Sequence, residues 1–164
     1  VQRVVAEFKP DYTVEFGTQF GGMTLALHDC WKQGLVVTFD CERRYVAEVS
    51  LLIAGGSVKF YCEDILSGES KWAVRYLWDG DYKKLLYCDN GNKVKEVLIY
   101  GKYLSTGDML GVHDWGVEIH TEPARVGSNW RGINDSVDFT NLRQLLEKFE
   151  LVGEGKQTRL WIKK

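Results

Sequence analysis

Tyr12-Thr13-Val14-Glu15-Phe16-Gly17-Thr18-Gln19-Phe20-Gly21-Gly22 is the stretch from which the fold can be read. A short apolar run ends in an acid and then in clustered glycines. A second run, Gly34-Leu35-Val36-Val37-Thr38-Phe39-Asp40, follows and also ends in an acid. Two such runs read as neighbouring strands of a parallel sheet that receives a nucleotide-like ligand at its carboxyl ends. Glycine at the first turn permits strained dihedrals and lets a ligand come close to the backbone.

Working outward, the same unit recurs. Residues 2–9 are predicted as a short helix, with Val4, Val5 and Phe8 on one side and Pro10-Asp11 ending it. Strands are predicted at 12–16, 35–39, 58–62, 85–89 and 109–114. Between them, Met23 to Trp31, Glu42 to Ala54, 69–79 and Lys93 to Leu104 suit helices, with Trp72, Tyr76 and Trp78 expected to face the sheet. A last helix near 140–147 precedes strands at 148–153 and 158–163, joined by Gly153-Glu154-Gly155-Lys156 as an antiparallel hairpin. Strands alternating with helices imply an α/β fold with a mostly parallel sheet and helices on both faces.

Length and composition narrow the options. A chain of 164 residues suits one domain, read here as 1–164, and is too short for two ordinary ones. The net charge is −2, and the basic residues are scattered, which argues against duplex DNA or another extended polyanion as partner. Cys30, Cys41, Cys62 and Cys88 form no CxxC pair. They read as reduced structural thiols, with Cys41, Cys62 and Cys88 buried at strand ends, which implies a cytoplasmic protein. No run of 18 apolar residues and no signal peptide is visible, so no membrane association is expected. The chain starts without methionine inside a helical pattern, as one lacking a short native N-terminus would.

The glycine pattern is Glu-x-Gly-x-x-x-Gly-Gly, not the GxGxxG of dinucleotide sites. Gln19 stands where the middle glycine would admit a pyrophosphate. No Gly-Lys-Ser/Thr phosphate loop is present either. A nucleoside without phosphates fits better. Glu15 at the turn would receive an ammonium group and repel a phosphate. Asp40, at the end of the next strand, would accept both ribose hydroxyls, and Asp64, after the third, would accept from an exocyclic amine. Together these acids suit a cationic amino-acid nucleoside. Solvated strand-end acids and an NAD-binding domain are the alternatives.

On these segments the chain resembles the class I S-adenosylmethionine-dependent methyltransferases. VEFGTQFGG, VVTFDCE, KFYCEDI, LLYCDNGNK and MLGVHDW occur in that family's order, and FELVGEG with TRLWIKK resembles its closing hairpin. The resemblance implies a Rossmann-like three-layer sandwich with a seven-stranded sheet of order 3-2-1-4-5-7-6, strand 7 antiparallel. It implies S-adenosylmethionine bound by Glu15, Gly17, Gly21, Asp40 and Asp64. The DNG and HD segments look closest to small-molecule O-methyltransferases of the sugar and catechol type. That likeness implies methyl transfer to an oxygen of a small-molecule acceptor, His113 and Asp89 as catalytic groups, and Mg²⁺ held by Asp89 and Asp114. Trp115 departs from the asparagine of the catechol branch, and Lys93 does not match its lysine securely.

The stretch from Trp115 to Asp138 fits neither period and is longer than most loops of a compact domain. It is expected to act as an acceptor lid, with Trp115 and Trp130 stacking on a ring and Arg125 or Arg131 meeting an acidic group. A subunit interface of a homo-oligomer is the other use for the same residues. A catalytically inactive nucleoside-binding scaffold remains the contrasting function.

Overall fold

The computed structural model describes residues 2–115 and 139–164. Strands β1 (Tyr12–Phe16), β2 (Leu35–Asp40), β3 (Val58–Cys62), β4 (Lys84–Cys88), β5 (Met109–His113), β6 (Phe149–Glu154) and β7 (Thr158–Lys163) form one sheet of order β3-β2-β1-β4-β5-β7-β6. β1 to β5 pair in parallel, and β7 runs antiparallel to both β5 and β6. The Rossmann-like architecture and the strand order are those expected.

Helices α1 (Gln2–Phe8), α2 (Gly22–Cys30), α3 (Ala47–Ala54), α4 (Lys71–Trp78), α5 (Lys93–Tyr100) and α6 (Phe139–Leu146) connect the strands. The central strands are apolar on both faces because helices cover both. On one face Val14, Phe16, Val37, Phe39, Leu86 and Leu110 share a core with Val97, Tyr100 and Leu142. On the other, Leu85, Tyr87 and Met109 pack with Val5, Phe8 and Leu27. Side-chain alternation puts Glu15 and Tyr87 in one cross-strand row, because the two residues are register partners.

Three local expectations need correction. α3 starts at Ala47, not Glu42. Asp40 Oδ1 accepts the Glu42 backbone N–H at 3.1 Å, and the Val46 N–H donates to the Phe20 carbonyl at 3.1 Å, so residues 41–46 are held out of helix. Trp78 is exposed, at 68%, because Ala73 and Leu77 define the buried side of α4 and Trp78 lies one residue past it. Trp72 and Tyr76 do pack against the core. Cys41 and Cys62 are exposed and only Cys88 of the three is buried, because the carboxyl edge of β2 and β3 is left open by the helices.

The opposite edge is closed by a buried ion pair. Lys84 Nζ lies 3.1 Å from Asp108 Oδ2, with both side chains almost wholly buried. Asp108 also accepts the backbone N–H groups of Lys84 and Ser105, and Lys84 Nζ donates to the Asp79 carbonyl. These bonds satisfy the charges and tie β4 to the turn before β5.

Candidate functional site

The carboxyl edge of β1 carries the glycine turn. Gly17 has φ 95° and Gly21 has φ 88°, both in the region glycine favours. A Cβ on Gly17 would overlap the Asp89 carbonyl and stand 2.9 Å from Asn90 Cα. The Asp89 N–H donates to the Phe16 carbonyl at 2.9 Å, so the turn after β1 lies directly against the turn after β4. One glycine thus sets the spacing between the expected cofactor turn and the expected acceptor side.

Glu15 is completely buried under the first turn of α2. Thr24 Oγ1 donates to its Oε2 at 2.6 Å, while Oε1 has no hydrogen-bond partner. Burial raises its pKa to about 7, against the lowering effect of Thr24 and Thr38. A buried, half-satisfied carboxyl at a strand end is costly to keep, and it matches a missing donor. Thr38 is in turn bonded to Thr18 at 2.5 Å between hydroxyl oxygens. These threonines were not singled out from sequence. Thr38 sits one strand over in register with Glu15, which is the signal that would have found it.

Asp40 is buried, and its carboxylate already ties the glycine turn down. Oδ2 accepts the Gln19 N–H at 2.7 Å and Oδ1 accepts that of Glu42. Gln19 is held at φ 44° by this arrangement, a strained value for a side-chain-bearing residue. Oδ1 also accepts the Cys41 thiol at 3.6 Å, so Oδ2 is the oxygen that keeps a second lone pair for a hydroxyl donor. Asp64 stands after β3, exposed, with Oδ1 accepting the Leu66 N–H at 2.9 Å. Glu15, Gly17, Gly21, Asp40 and Asp64 therefore all lie along the carboxyl edge of β1, β2 and β3.

β4 and β5 bring the second group together. Asp89, His113 and Asp114 each offer a ligand atom, all within 4.8 Å of one another. His113 Nδ1 is 3.0 Å from Asp114 Oδ1 and 3.3 Å from Asp89 Oδ1, close enough for ion pairing although neither contact has hydrogen-bond angles. Asp114 and then Asp89 push His113 up to about 10, against burial, so the ring is cationic at neutral pH. Burial raises Asp114, but His113 and Lys93 outweigh it and hold the carboxyl at about 2. Asp114 has φ 54°, a conformation that turns the chain at the end of β5.

Lys93 is the residue whose place here was missed. Its side chain is fully buried, with Nζ 2.9 Å from Asp114 Oδ2 and 3.8 Å from Asp89 Oδ1. It also donates to the Asn90 carbonyl at 2.6 Å. The first turn of α5 delivers it: the Asn92 side chain accepts the Lys95 N–H, and Glu96 accepts those of Asn92 and Asn90. Asp89 and Lys93 are spaced i,i+4, which was the available signal.

Asp89, His113 and Asp114 could together offer a metal ion three ligand atoms. Both expected ligands are brought together, but around an ammonium. A dication drawn to these carboxylates would also be repelled by the ammonium that shares them.

Trp115 packs against the closing hairpin. It is buried, 4.9 Å from the Trp161 ring, with the Arg159 guanidinium over it at 4.8 Å. Its backbone N–H donates to the Gln157 carbonyl, which turns the ring into the core. Arg125, Trp130, Arg131 and the rest of the expected lid lie outside the described residues. Among the described residues, no helix is long and apolar enough to cross a membrane.

No protein-family model matches the chain, and no curated protein matches it. Solved structures do. An O-methyltransferase family protein from Burkholderia thailandensis superposes with TM-score 0.65 at 13% identity, over 99% of this chain and 55% of that one. The N-terminal domain of EvdMO1, with S-adenosylhomocysteine bound, gives 0.64 at 17%, over 99% and 79%. The Podospora anserina methyltransferase PaMTH1, also bound to S-adenosylhomocysteine, gives 0.55 at 17%, over 99% and 76%. The chain spans little more than half of the Burkholderia protein. At these identities the likeness is one of fold: this chain has the fold of class I S-adenosylmethionine-dependent methyltransferases.

Proposed function

We propose that the protein is an S-adenosylmethionine-dependent methyltransferase acting on an oxygen of a small molecule. The observation that carries this reading is Glu15: fully buried beside the glycine turn, one oxygen without a donor. An amino-acid ammonium supplies the missing donor, whereas a pyrophosphate would be repelled. Asp40 then takes the ribose hydroxyls, and Asp64 takes the adenine amine. S-adenosylhomocysteine binds EvdMO1 and PaMTH1, which share the fold, and this supports the choice of ligand.

The acceptor enters beyond β4 and β5. Methyl transfer is a direct displacement, so the chain must align the acceptor oxygen with the sulfonium methyl and exclude water. Asp89 and His113 are the groups this reading assigns to that task. His113 Nδ1 is buried against the acids, while the side chain as a whole is partly exposed. As a cation at neutral pH it orients an acceptor oxygen by donating. It accepts a proton only when deprotonated, toward pH 10.

Calorimetric titration with S-adenosylhomocysteine, NAD and ATP tests the ligand. Tight binding of S-adenosylhomocysteine alone is expected; tight NAD binding with none of S-adenosylhomocysteine would give the site to a dinucleotide. Methyl transfer to a panel of sugars, phenols and small hydroxy acids tests the reaction. S-adenosylhomocysteine binding without turnover on any of them would favour an inactive nucleoside-binding scaffold.

A further inference from the structure

The cluster at the ends of β4 and β5 holds two carboxylates, and the resemblance to metal-dependent enzymes assigns them a divalent cation. The folded arrangement assigns them something else. We propose that Lys93 fills the cation position between Asp89 and Asp114, so that the site works without a divalent metal. The proposal rests on the methyltransferase reading only in calling the adjoining space the acceptor side; the charge arrangement stands apart from it.

Three observations converge. The ammonium lies 2.9 Å from Asp114 Oδ2 and 3.8 Å from Asp89 Oδ1, so it already shares both carboxylates a metal would need. The Lys93 side chain is wholly buried, so its charge is not screened by solvent. It is also anchored: Nζ donates to the Asn90 carbonyl, and Asn92 and Glu96 fix the start of α5 around it. Swinging the side chain out to admit a metal would break that bond and strand an ammonium in the core.

The consequence is a division of labour. Lys93 is a positioning residue: it holds the two carboxylates together without facing the acceptor. Asp89 and Asp114 then hold His113 through Nδ1. A fixed ammonium compensates the acid pair at every metal concentration, whereas a bound metal would come and go with its free level.

Mn²⁺ binding followed by electron paramagnetic resonance tests this directly. The wild-type protein is expected to bind Mn²⁺ at this site no tighter than ~1 mM. Lys93→Met keeps an apolar stem of similar length and removes the charge. It should gain at least ~10-fold in Mn²⁺ affinity, and the gain should vanish when Asp89→Asn is added. Lys93→Arg, which retains a cation, should show no gain. Circular dichroism establishes that each variant is folded.

Micromolar Mn²⁺ binding by the wild type that is lost in Asp89→Asn or Asp114→Asn would overturn the proposal, whatever the variants do. So would a folded Lys93→Met protein that takes up no more Mn²⁺ than wild type. S-adenosylhomocysteine titration of the same samples keeps the two readings apart: a chain that fails to bind it yet shows the Mn²⁺ pattern refutes the methyltransferase reading alone.

Discussion

Replacing Glu15 by Gln should weaken cofactor binding and stabilise the fold at once. Burial raises the Glu15 carboxyl to about 7, from an ordinary value of 4.5. The folded state therefore holds this proton more tightly than the unfolded chain does. The resulting destabilisation begins as pH rises above 4.5 and is complete above about 7. A shift of that size corresponds to ~3 kcal/mol, which Glu15→Gln should largely recover at pH 8, less the strain of seating an amide beside Thr24. Denaturant melts at pH 5 and pH 8 read the difference: the variant's advantage should appear only at the higher pH. Binding runs the other way. An ammonium favours ionised Glu15, so wild-type affinity for S-adenosylhomocysteine should rise ~10-fold between pH 6 and pH 8 and then level off. Glu15→Gln should bind more weakly, with no such rise. Calorimetric titration across that range is the assay. A wild-type affinity that is flat with pH and equal to the variant's would refute the assignment of Glu15 to the ammonium.

Other outcomes rest on the same geometry. Gly17→Ala should lose at least ~10-fold in S-adenosylhomocysteine affinity by calorimetry, because φ 95° strains any side chain and a Cβ overlaps the Asp89 carbonyl. His113 is held near 10, so if it accepts the acceptor's proton the methyl-transfer rate should climb with pH toward that value, and His113→Ala should flatten the profile. A wild-type rate that is level from neutral pH upward would remove His113 as a base. Asp108→Asn should cost ~3–5 kcal/mol in a urea melt by leaving Lys84 buried without its charged partner. A change under ~1 kcal/mol would show that Lys84 needs only its carbonyl contact.

The sheet was legible because of where its strands lie. Val36-Val37-Thr38-Phe39 and Leu85-Leu86-Tyr87-Cys88 read as strands from sequence because both faces of each are covered, which makes continuous apolar runs. The acids that end those runs were legible for the same reason, since a charge marks where cover stops. The turns leaving the strands were harder to read. The Glu42 to Val46 stretch carries no helix breaker, yet Asp40 captures the Glu42 N–H and delays α3. Trp115 comes directly after a strand-end acid and was expected to face a ligand. The turn at Asp114 and the bond to Gln157 send it into the core instead. Lys93 lay in plain view at the start of a predicted helix. Its meaning depends on Asp114, 21 positions later in sequence, and only the pairing of β4 with β5 brings the two together.

The most direct test of the account is a crystal structure with S-adenosylhomocysteine bound. The ligand's ammonium should lie within hydrogen-bond distance of Glu15, its ribose hydroxyls against Asp40, and its sulfur toward Asp89 and His113. Density for the nucleoside elsewhere, or a Glu15 that keeps its oxygen without a donor while the ligand binds, would contradict it.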